Sequence, residues 1–185
     1  MPESTIVQQI MDPPPPAPDG LHLVIGPYSR QSLVLLSLAR YLCAGRRVYW
    51  IDAGNGFDAY GLGQAARAAQ LDERRVLSHV QVARPFTAIQ MNGMLSRQLP
   101  QIPRACPVIL SDPMALFYDL EMPENDVARV FRDFIRVVRG LSLPVLALAV
   151  ARKAPEQRSR LSPQLLREAR TVARMAITPQ ERQLG

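Results

Sequence analysis

Short apolar runs alternate with segments of helical periodicity from residue 21 onwards, and this alternation leaves few folds open to the chain. The runs lie at 21–26, 47–52, 79–84, 107–111 and 144–150. They are apolar on both faces, as are strands of a sheet that is covered on both sides. Strands that alternate with helices pair in parallel through right-handed crossovers. The pattern predicts an α/β fold with a mostly parallel, twisted central sheet and helices on both faces.

The segments between these runs are predicted to be helical. Helices are expected at 30–44, from the alanine-rich stretch to 70, at 86–99 and at 124–139. Ser162 and Pro163 open a further helix, and a sixth strand is predicted near 171–178. The charged residues 72–75 predict a solvated turn.

The first 20 residues differ from the rest in composition. Pro13–Pro16 and Pro18 disfavour helix and strand and favour an extended polyproline tether. We therefore predict a flexible tail over 1–20 and a single α/β domain over 21–185. A chain of 185 residues can bury a core without disulfides or metals. Cys43 and Cys106 lie in apolar surroundings, which favours buried thiols in a reducing compartment over a disulfide.

Composition excludes several classes of protein. Apolar residues make up 48% and charged residues 21%, so the chain is neither disordered nor collagen-like. No apolar run is long enough to span a bilayer, and no membrane partner is expected. The net charge is +6, and Lys153 is the only lysine among 22 basic residues. This skew fits either a GC-rich genome or a surface that binds nucleic acid through arginine.

The segment after the first run occupies the place of a phosphate-binding loop, because ligands of parallel sheets bind at the carboxyl ends of the strands. A phosphate loop needs the pattern G-x-x-x-x-G-K-[ST]. The second glycine and the lysine are absent here. A helix N-terminus can still attract an anion, or Ser29 can simply cap the helix. The candidate residues of this loop are Gly26, Ser29, Arg30, Gln31 and Ser32.

Several segments resemble the RecA-like recombinases, especially the archaeal and eukaryotic strand-exchange branch. Residues 68–86, AAQLDERRVLSHVQVARPF, match a helix that ends in a Leu-Asp turn, a Val-Leu pair and a strand that ends in Ala-Arg. Residues 47–52 with Gly56 and Phe57 are similar to the family's second strand and its continuation. Residues 114–117 are similar to the segment behind its second nucleotide motif. The resemblance spans about 21–160 and implies a RecA-like P-loop NTPase core.

The departures from that family concern its catalytic groups. The family's catalytic glutamate falls at Gly54, and its magnesium-directing aspartate falls at Ser111, with Asp112 one place later. The residue that senses the terminal phosphate falls near 151–152. The resemblance therefore implies a relative without ATP hydrolysis and without catalytic residues. Asp52 and Asp112 join the loop residues in a vestigial nucleotide site, at which ATP and magnesium binding without hydrolysis stays open.

The resemblance also implies a DNA-binding loop after the fifth strand. In the recombinases this loop contacts single-stranded DNA. Here residues 151–160 carry the cations Arg152, Lys153, Arg158 and Arg160 against Glu156. Such cations bind phosphates in a salt-dependent manner, although the loop has no aromatic residue for stacking. The alternative is a solvated basic loop.

The tail suggests an assembly contact. Recombinases join head to tail through a short apolar segment that docks on the neighbour. Ile6, Val7 and Ile10 precede the proline tether where that segment would lie. We expect them to add a strand to an exposed sheet edge, with a loose tail as the alternative.

Three functions follow from these features. The first is a non-catalytic recombinase-like paralog that binds DNA, expected to be single-stranded, and a recombination or replication protein. The second is an ATP-binding or slowly hydrolysing ATPase with an atypical loop. The third is a RecA-like scaffold with an unrelated protein-interaction role. The expected location is the cytoplasm near the nucleoid, or the nucleus of a eukaryote.

Overall fold

The computed structural model describes residues 18–26 and 31–174, with the side chains of 31–34 left aside. The strands are β1 (Gly20–Gly26), β2 (Val48–Asp52), β3 (Val80–Ala83), β4 (Val108–Ser111), β5 (Pro144–Val150) and β6 (Thr171–Arg174). The helices are α1 (Gln31–Cys43), α2 (Ala59–Ala68), α3 (Glu73–Ser78), α4 (Ala88–Arg97), α5 (Glu124–Arg139) and α6 (Leu161–Glu168). Single 3-10 turns lie at Leu99–Gln101, Ala115–Phe117 and Glu156–Arg158.

The strands form one sheet in the order β3-β2-β4-β5-β1-β6, and every pair is parallel. The predicted α/β class with a parallel sheet is therefore confirmed. β2, β4 and β5 are central and almost wholly buried, which explains their continuously apolar sequence. β3 and β6 lie at the two edges and are more exposed.

Two hydrophobic cores cover the two faces of the sheet. One packs α4, α5 and α6 against it, with Phe117, Phe131 and Phe134 as an aromatic cluster. The other packs α1, α2 and α3 against the opposite face around Trp50. The helices therefore lie on both faces, as predicted.

Local signals set the helix ends. Thr87 begins α4, because its hydroxyl accepts a hydrogen bond from the Gln90 amide at 3.1 Å. Gly45 follows α1 with a φ of +81°, a conformation that favours glycine. No helix in the described part of the chain is long and apolar enough to cross a membrane.

The region around 72–79 differs from the prediction. The expected solvated turn at 72–75 is the beginning of α3. Asp72 caps this helix by accepting from the Arg75 amide at 3.1 Å, and Val76 is buried beneath it. His79 follows α3 instead of lying in a strand, so β3 is shorter than the predicted run. The sixth strand is found at Thr171–Arg174, and residues 175–178 lie outside the described part.

Candidate functional site at the carboxyl end of the sheet

Two buried carboxylates lie at the carboxyl ends of neighbouring central strands. Asp52 is the last residue of β2, and Asp112 directly follows β4. The register pairs Asp52 with Ser111, so the two strands end side by side. Asp52 is 0% exposed and Asp112 is 3% exposed. Burying two carboxylates so close together requires partners that offset their charge and desolvation.

Donors from its own sheet and the following loop surround Asp52. Its Oδ1 accepts hydrogen bonds from Ser111 Oγ at 2.7 Å, the Gly56 amide at 2.8 Å and the Phe57 amide at 3.2 Å. The Trp50 indole donates in turn to Ser111 Oγ at 3.2 Å. This oxygen is therefore fully engaged by neutral donors of the chain itself.

The second oxygen of Asp52 is bound by an arginine from the adjacent strand. Arg84 follows β3, which pairs with β2. Its Nε lies 3.0 Å and its Nη2 2.8 Å from Asp52 Oδ2. The Arg84 side chain is 42% exposed, so the guanidinium covers the buried carboxylate from the solvent side.

Asp112 is held in an uncommon backbone conformation. Its φ is +43°, a region that aspartate and asparagine tolerate better than most residues. Its amide donates to the Leu148 carbonyl of β5 at 2.6 Å. Its Oδ2 forms an ion pair with Arg152, which follows β5. Within the described part of the chain, its Oδ1 has no hydrogen-bond partner.

Gly54 lies against Asp112. A Cβ atom at residue 54 would stand 2.6 Å from Asp112 Cβ, well inside van der Waals contact. The Gly54 amide donates to the Ser111 carbonyl at 3.0 Å, which fixes the backbone at this short separation. Position 54 is where the family resemblance puts a catalytic glutamate, and this packing leaves no room for a side chain there.

The arginine partners of Asp52 and Asp112 weigh against a magnesium–nucleotide complex at the described part of this site. Mg²⁺ needs carboxylate and phosphate oxygens in near-octahedral geometry. The Oδ2 atom of Asp52 already forms an ion pair with Arg84, and the Oδ2 atom of Asp112 forms one with Arg152. Each arginine neutralises the charge that would attract the cation. No group of three or more metal-binding side chains occurs among the described residues.

Much of the predicted phosphate loop cannot be described. Gly26 ends β1, and its carbonyl accepts from the Ala151 amide at 2.9 Å. Gln31 and Ser32 begin α1, but their side chains are not described. Ser29 and Arg30 lie outside the described residues. So do the tail residues predicted for partner binding, Ile6, Val7 and Ile10.

The basic loop 151–160 divides into surface cations and one buried cation. Arg152, Lys153 and Arg160 are exposed, and Arg152 reaches Asp112. Arg158 is only 2% exposed, so its prediction as a nucleic-acid-binding residue is wrong. Its Nη2 donates to the Met122 carbonyl at 2.7 Å, and its Nη1 lies 2.9 Å from Glu124 Oε1. Arg158 therefore joins this loop to the segment before α5.

A cavity beside this loop had no counterpart in the sequence predictions. It has a volume of about 450 Å³ and lies near the carboxyl ends of β1, β5 and β6. Its walls are mostly apolar, and Arg152, Lys153 and Arg174 line it as well. It escaped sequence analysis because its walls come from segments far apart in the chain.

A larger cavity, about 750 Å³, lies at the opposite end of the sheet. Tyr49 and Cys106 are among its lining residues. Burial raises the pKa of the Tyr49 phenol and of the Cys106 thiol. Both groups are therefore protonated at neutral pH, and the Cys106 thiol is a weak nucleophile. Neither Cys43 nor Cys106 forms a disulfide.

No protein-family model matches the chain, and no curated protein gives a significant match.

Proposed function

We propose that this chain is a non-catalytic, RecA-like paralog of the recombinases that acts by binding single-stranded DNA. One observation carries the proposal. The buried carboxylates at the carboxyl end of the sheet are neutralised by Arg84 and Arg152, while the adjacent loop presents Lys153 and Arg160 to solvent.

The chemistry of the carboxylates argues against nucleotide hydrolysis. Hydrolysis requires a metal ion held by carboxylate and phosphate oxygens, and a group that orients the attacking water. Asp52 has its oxygens occupied by Ser111, two backbone amides and Arg84. Gly54 has no side chain that could orient a water. The contacts of the described residues at this edge therefore support a structural role for Asp52 and Asp112 over a catalytic one.

The surface cations support nucleic acid as the ligand. Lys153 and Arg160 belong to the loop that the resemblance assigns to DNA, and the chain carries a net charge of +6. Contacts between such cations and phosphates release counterions, which gives affinity without sequence preference. Glu156 is the single acid of this loop, and its charge offsets only part of the charge of Lys153 and Arg160.

The experiment is a salt titration of DNA binding. Fluorescence anisotropy of a labelled single-stranded oligonucleotide would be measured against sodium chloride for wild type and for Lys153→Ala/Arg160→Ala. Removing two phosphate contacts should lower the slope of log K against log salt by about 1.4. Arg74→Ala is the matched control, because Arg74 is exposed on α3, beside the amino end of β3. Absence of binding by wild type at low salt would overturn the proposal.

We also propose that residues 4–11 of one copy dock on the β3 edge of another. No other described strand pairs with this edge of β3, and Val82, Phe86 and Ile89 on and beside it are 39%, 77% and 59% exposed. Apolar side chains at an unpaired sheet edge favour strand addition. Deletion of residues 1–12 should lower the mass found by light scattering, and Phe86→Ala should do the same. An unchanged mass in the deletion would overturn this contact.

A further inference from the structure

We infer that the 450 Å³ cavity beside loop 151–160 binds one unstacked nucleobase of a single strand. The inference rests on the proposed function, since it identifies which part of the DNA enters the site. It also assigns a binding role to three residues outside the loop that the sequence did not indicate as binding residues, namely Tyr118, Ser162 and Arg174.

The walls of the cavity suit a flat apolar ring. β1 contributes Leu23 and Ile25, β5 contributes Ala149, and α6 contributes Leu166. Its volume falls within the range of small-molecule sites, about 300–1,000 Å³. A nucleobase has two apolar faces and a polar edge, so it gains from burial against such walls once it is unstacked.

Tyr118 supplies the aromatic ring that loop 151–160 lacks. It lines the cavity from the segment after β4, and its hydroxyl forms a hydrogen bond with Ser162 Oγ at the beginning of α6. This bond restricts the orientation of the ring. A ring held in place loses little entropy when a base stacks on it. The two hydroxyl groups also offer polar atoms to the edge of a base.

Cations at the cavity can hold the phosphates that flank the base. Lys153 and Arg174 both line it, and neither has a carboxylate partner among the described residues. They come from the segment after β5 and from β6. A nucleotide could place its base against the apolar walls of the cavity. Its negatively charged phosphate would then lie beside the positive charges of Lys153 and Arg174.

The two segments that flank the cavity are fixed to each other. Arg158 bonds the loop after β5 to the Met122 carbonyl, which lies in the same inter-element segment as Tyr118. This hydrogen bond restricts the movement of Tyr118 relative to the loop that carries Lys153. A base in a duplex is stacked and paired, so only an extruded or single-stranded base can enter such a site.

The first test compares two ligands of equal charge on the wild-type protein. A labelled 12-residue oligo(dT) and a 12-residue abasic strand carry the same phosphates but differ in their bases. We expect oligo(dT) to bind about tenfold more tightly at the same salt concentration. Equal affinities would overturn the inference and leave the proposed function standing. Failure of both strands to bind would overturn the proposed function itself.

The second test locates the base. Tyr118→Ala should abolish the difference between the two strands, whereas Tyr118→Phe keeps the ring and should retain it. Ser162→Leu places a larger apolar side chain at the cavity and should also abolish the difference. It serves as the second variant if Tyr118→Ala does not fold. A full preference for oligo(dT) in a folded Tyr118→Ala or Ser162→Leu variant would overturn the inference.

Discussion

Asp52 illustrates how a buried carboxylate is satisfied from within the chain. Its partners come from β4, from the loop after β2 and from the residue after β3. Ser111 and Arg84 are far from Asp52 in sequence and are brought to it by the strand order, whereas the Gly56 amide belongs to the loop that directly follows it. Asp52 accepts hydrogen bonds from donors of three different segments and so connects them at the carboxyl end of the sheet. Removing its carboxylate would leave these donors without a partner.

Asp52→Ala should therefore lower the free energy of unfolding by about 3 kcal/mol. The cost arises because Ser111 and the Gly56 amide lose their acceptor in a water-free region. Urea unfolding gives the value, provided that the slope with denaturant is unchanged. Asp133→Ala is the control, because Asp133 pairs with Arg136 on the exposed face of α5 and should cost under about 1 kcal/mol. Equal losses in the two variants would contradict this view of Asp52.

Gly54→Ala should also destabilise the protein, by about 1–3 kcal/mol. The added methyl group would meet Asp112 Cβ at 2.6 Å, and both backbones are held by hydrogen bonds. In the background of Asp112→Gly the same substitution should cost much less, since the opposing Cβ is gone. Thermal unfolding of the four proteins in a double-mutant cycle measures this coupling. Independent effects of the two substitutions would refute the contact.

At the scale of single elements, the loop after β5 and the segment before α5 behave as one unit joined by Arg158. Arg158→Ala should lower the free energy of unfolding by about 2 kcal/mol, because the Met122 carbonyl loses its donor. Hydrogen exchange should rise in both 119–122 and 151–160. Glu124→Gln should have the smaller effect, since the Glu124 side chain is 60% exposed. Faster exchange in only one of the two segments would contradict the connection.

The sequence predicted elements well where their signals are local. α5 and β5 occupy the predicted ranges, because a long amphipathic period and a continuous apolar run leave little ambiguity. α3 was missed because its few residues include Glu73, Arg74 and Arg75, which look solvated. Its detectable signals were Asp72 as a cap and Val76 as a buried position.

The site was predictable only in part. The sequence predicted Asp52 and Asp112 as site residues at the carboxyl ends of the strands. It could not find their arginine partners, because those depend on β3 lying beside β2 and β5 beside β4. It also predicted Arg158 as a nucleic-acid-binding residue, although this side chain is buried, since nothing local in the sequence distinguishes a buried arginine from its exposed neighbours. Pairing across a sheet is a long-range property that local patterns do not encode.

At the scale of the whole molecule, charged groups are arranged differently at the two ends of the sheet. At the carboxyl end Asp52 and Asp112 are buried and paired with arginines, and the exposed cations Lys153 and Arg174 line the 450 Å³ cavity. At the amino end the larger cavity contains neutral groups such as Tyr49, Gln98 and Cys106 as well as Arg47. This distribution favours an anionic ligand at the carboxyl end.

ATP or ADP with magnesium should leave the melting temperature unchanged. A ligand at one hundred times its Kd would stabilise the native state by about 2.7 kcal/mol, which is a shift of several degrees. Differential scanning fluorimetry with millimolar nucleotide is sufficient to detect it. A clear upward shift that disappears in a Gln31→Ala variant would show that the site still binds nucleotide, and it would contradict the view that the arginine partners of Asp52 and Asp112 exclude it.

The contact between Gly54 and Asp112 also has a consequence for descent. A larger residue at position 54 is expected to be better accepted where residue 112 is smaller, because the two Cβ atoms would otherwise stand 2.6 Å apart. Residue 112 is itself restricted by its positive φ, which few residue types accept. A smaller residue at position 112 would also give up the ion pair with Arg152. Positions 54 and 112 are therefore expected to vary together in evolution, and Arg152 with them.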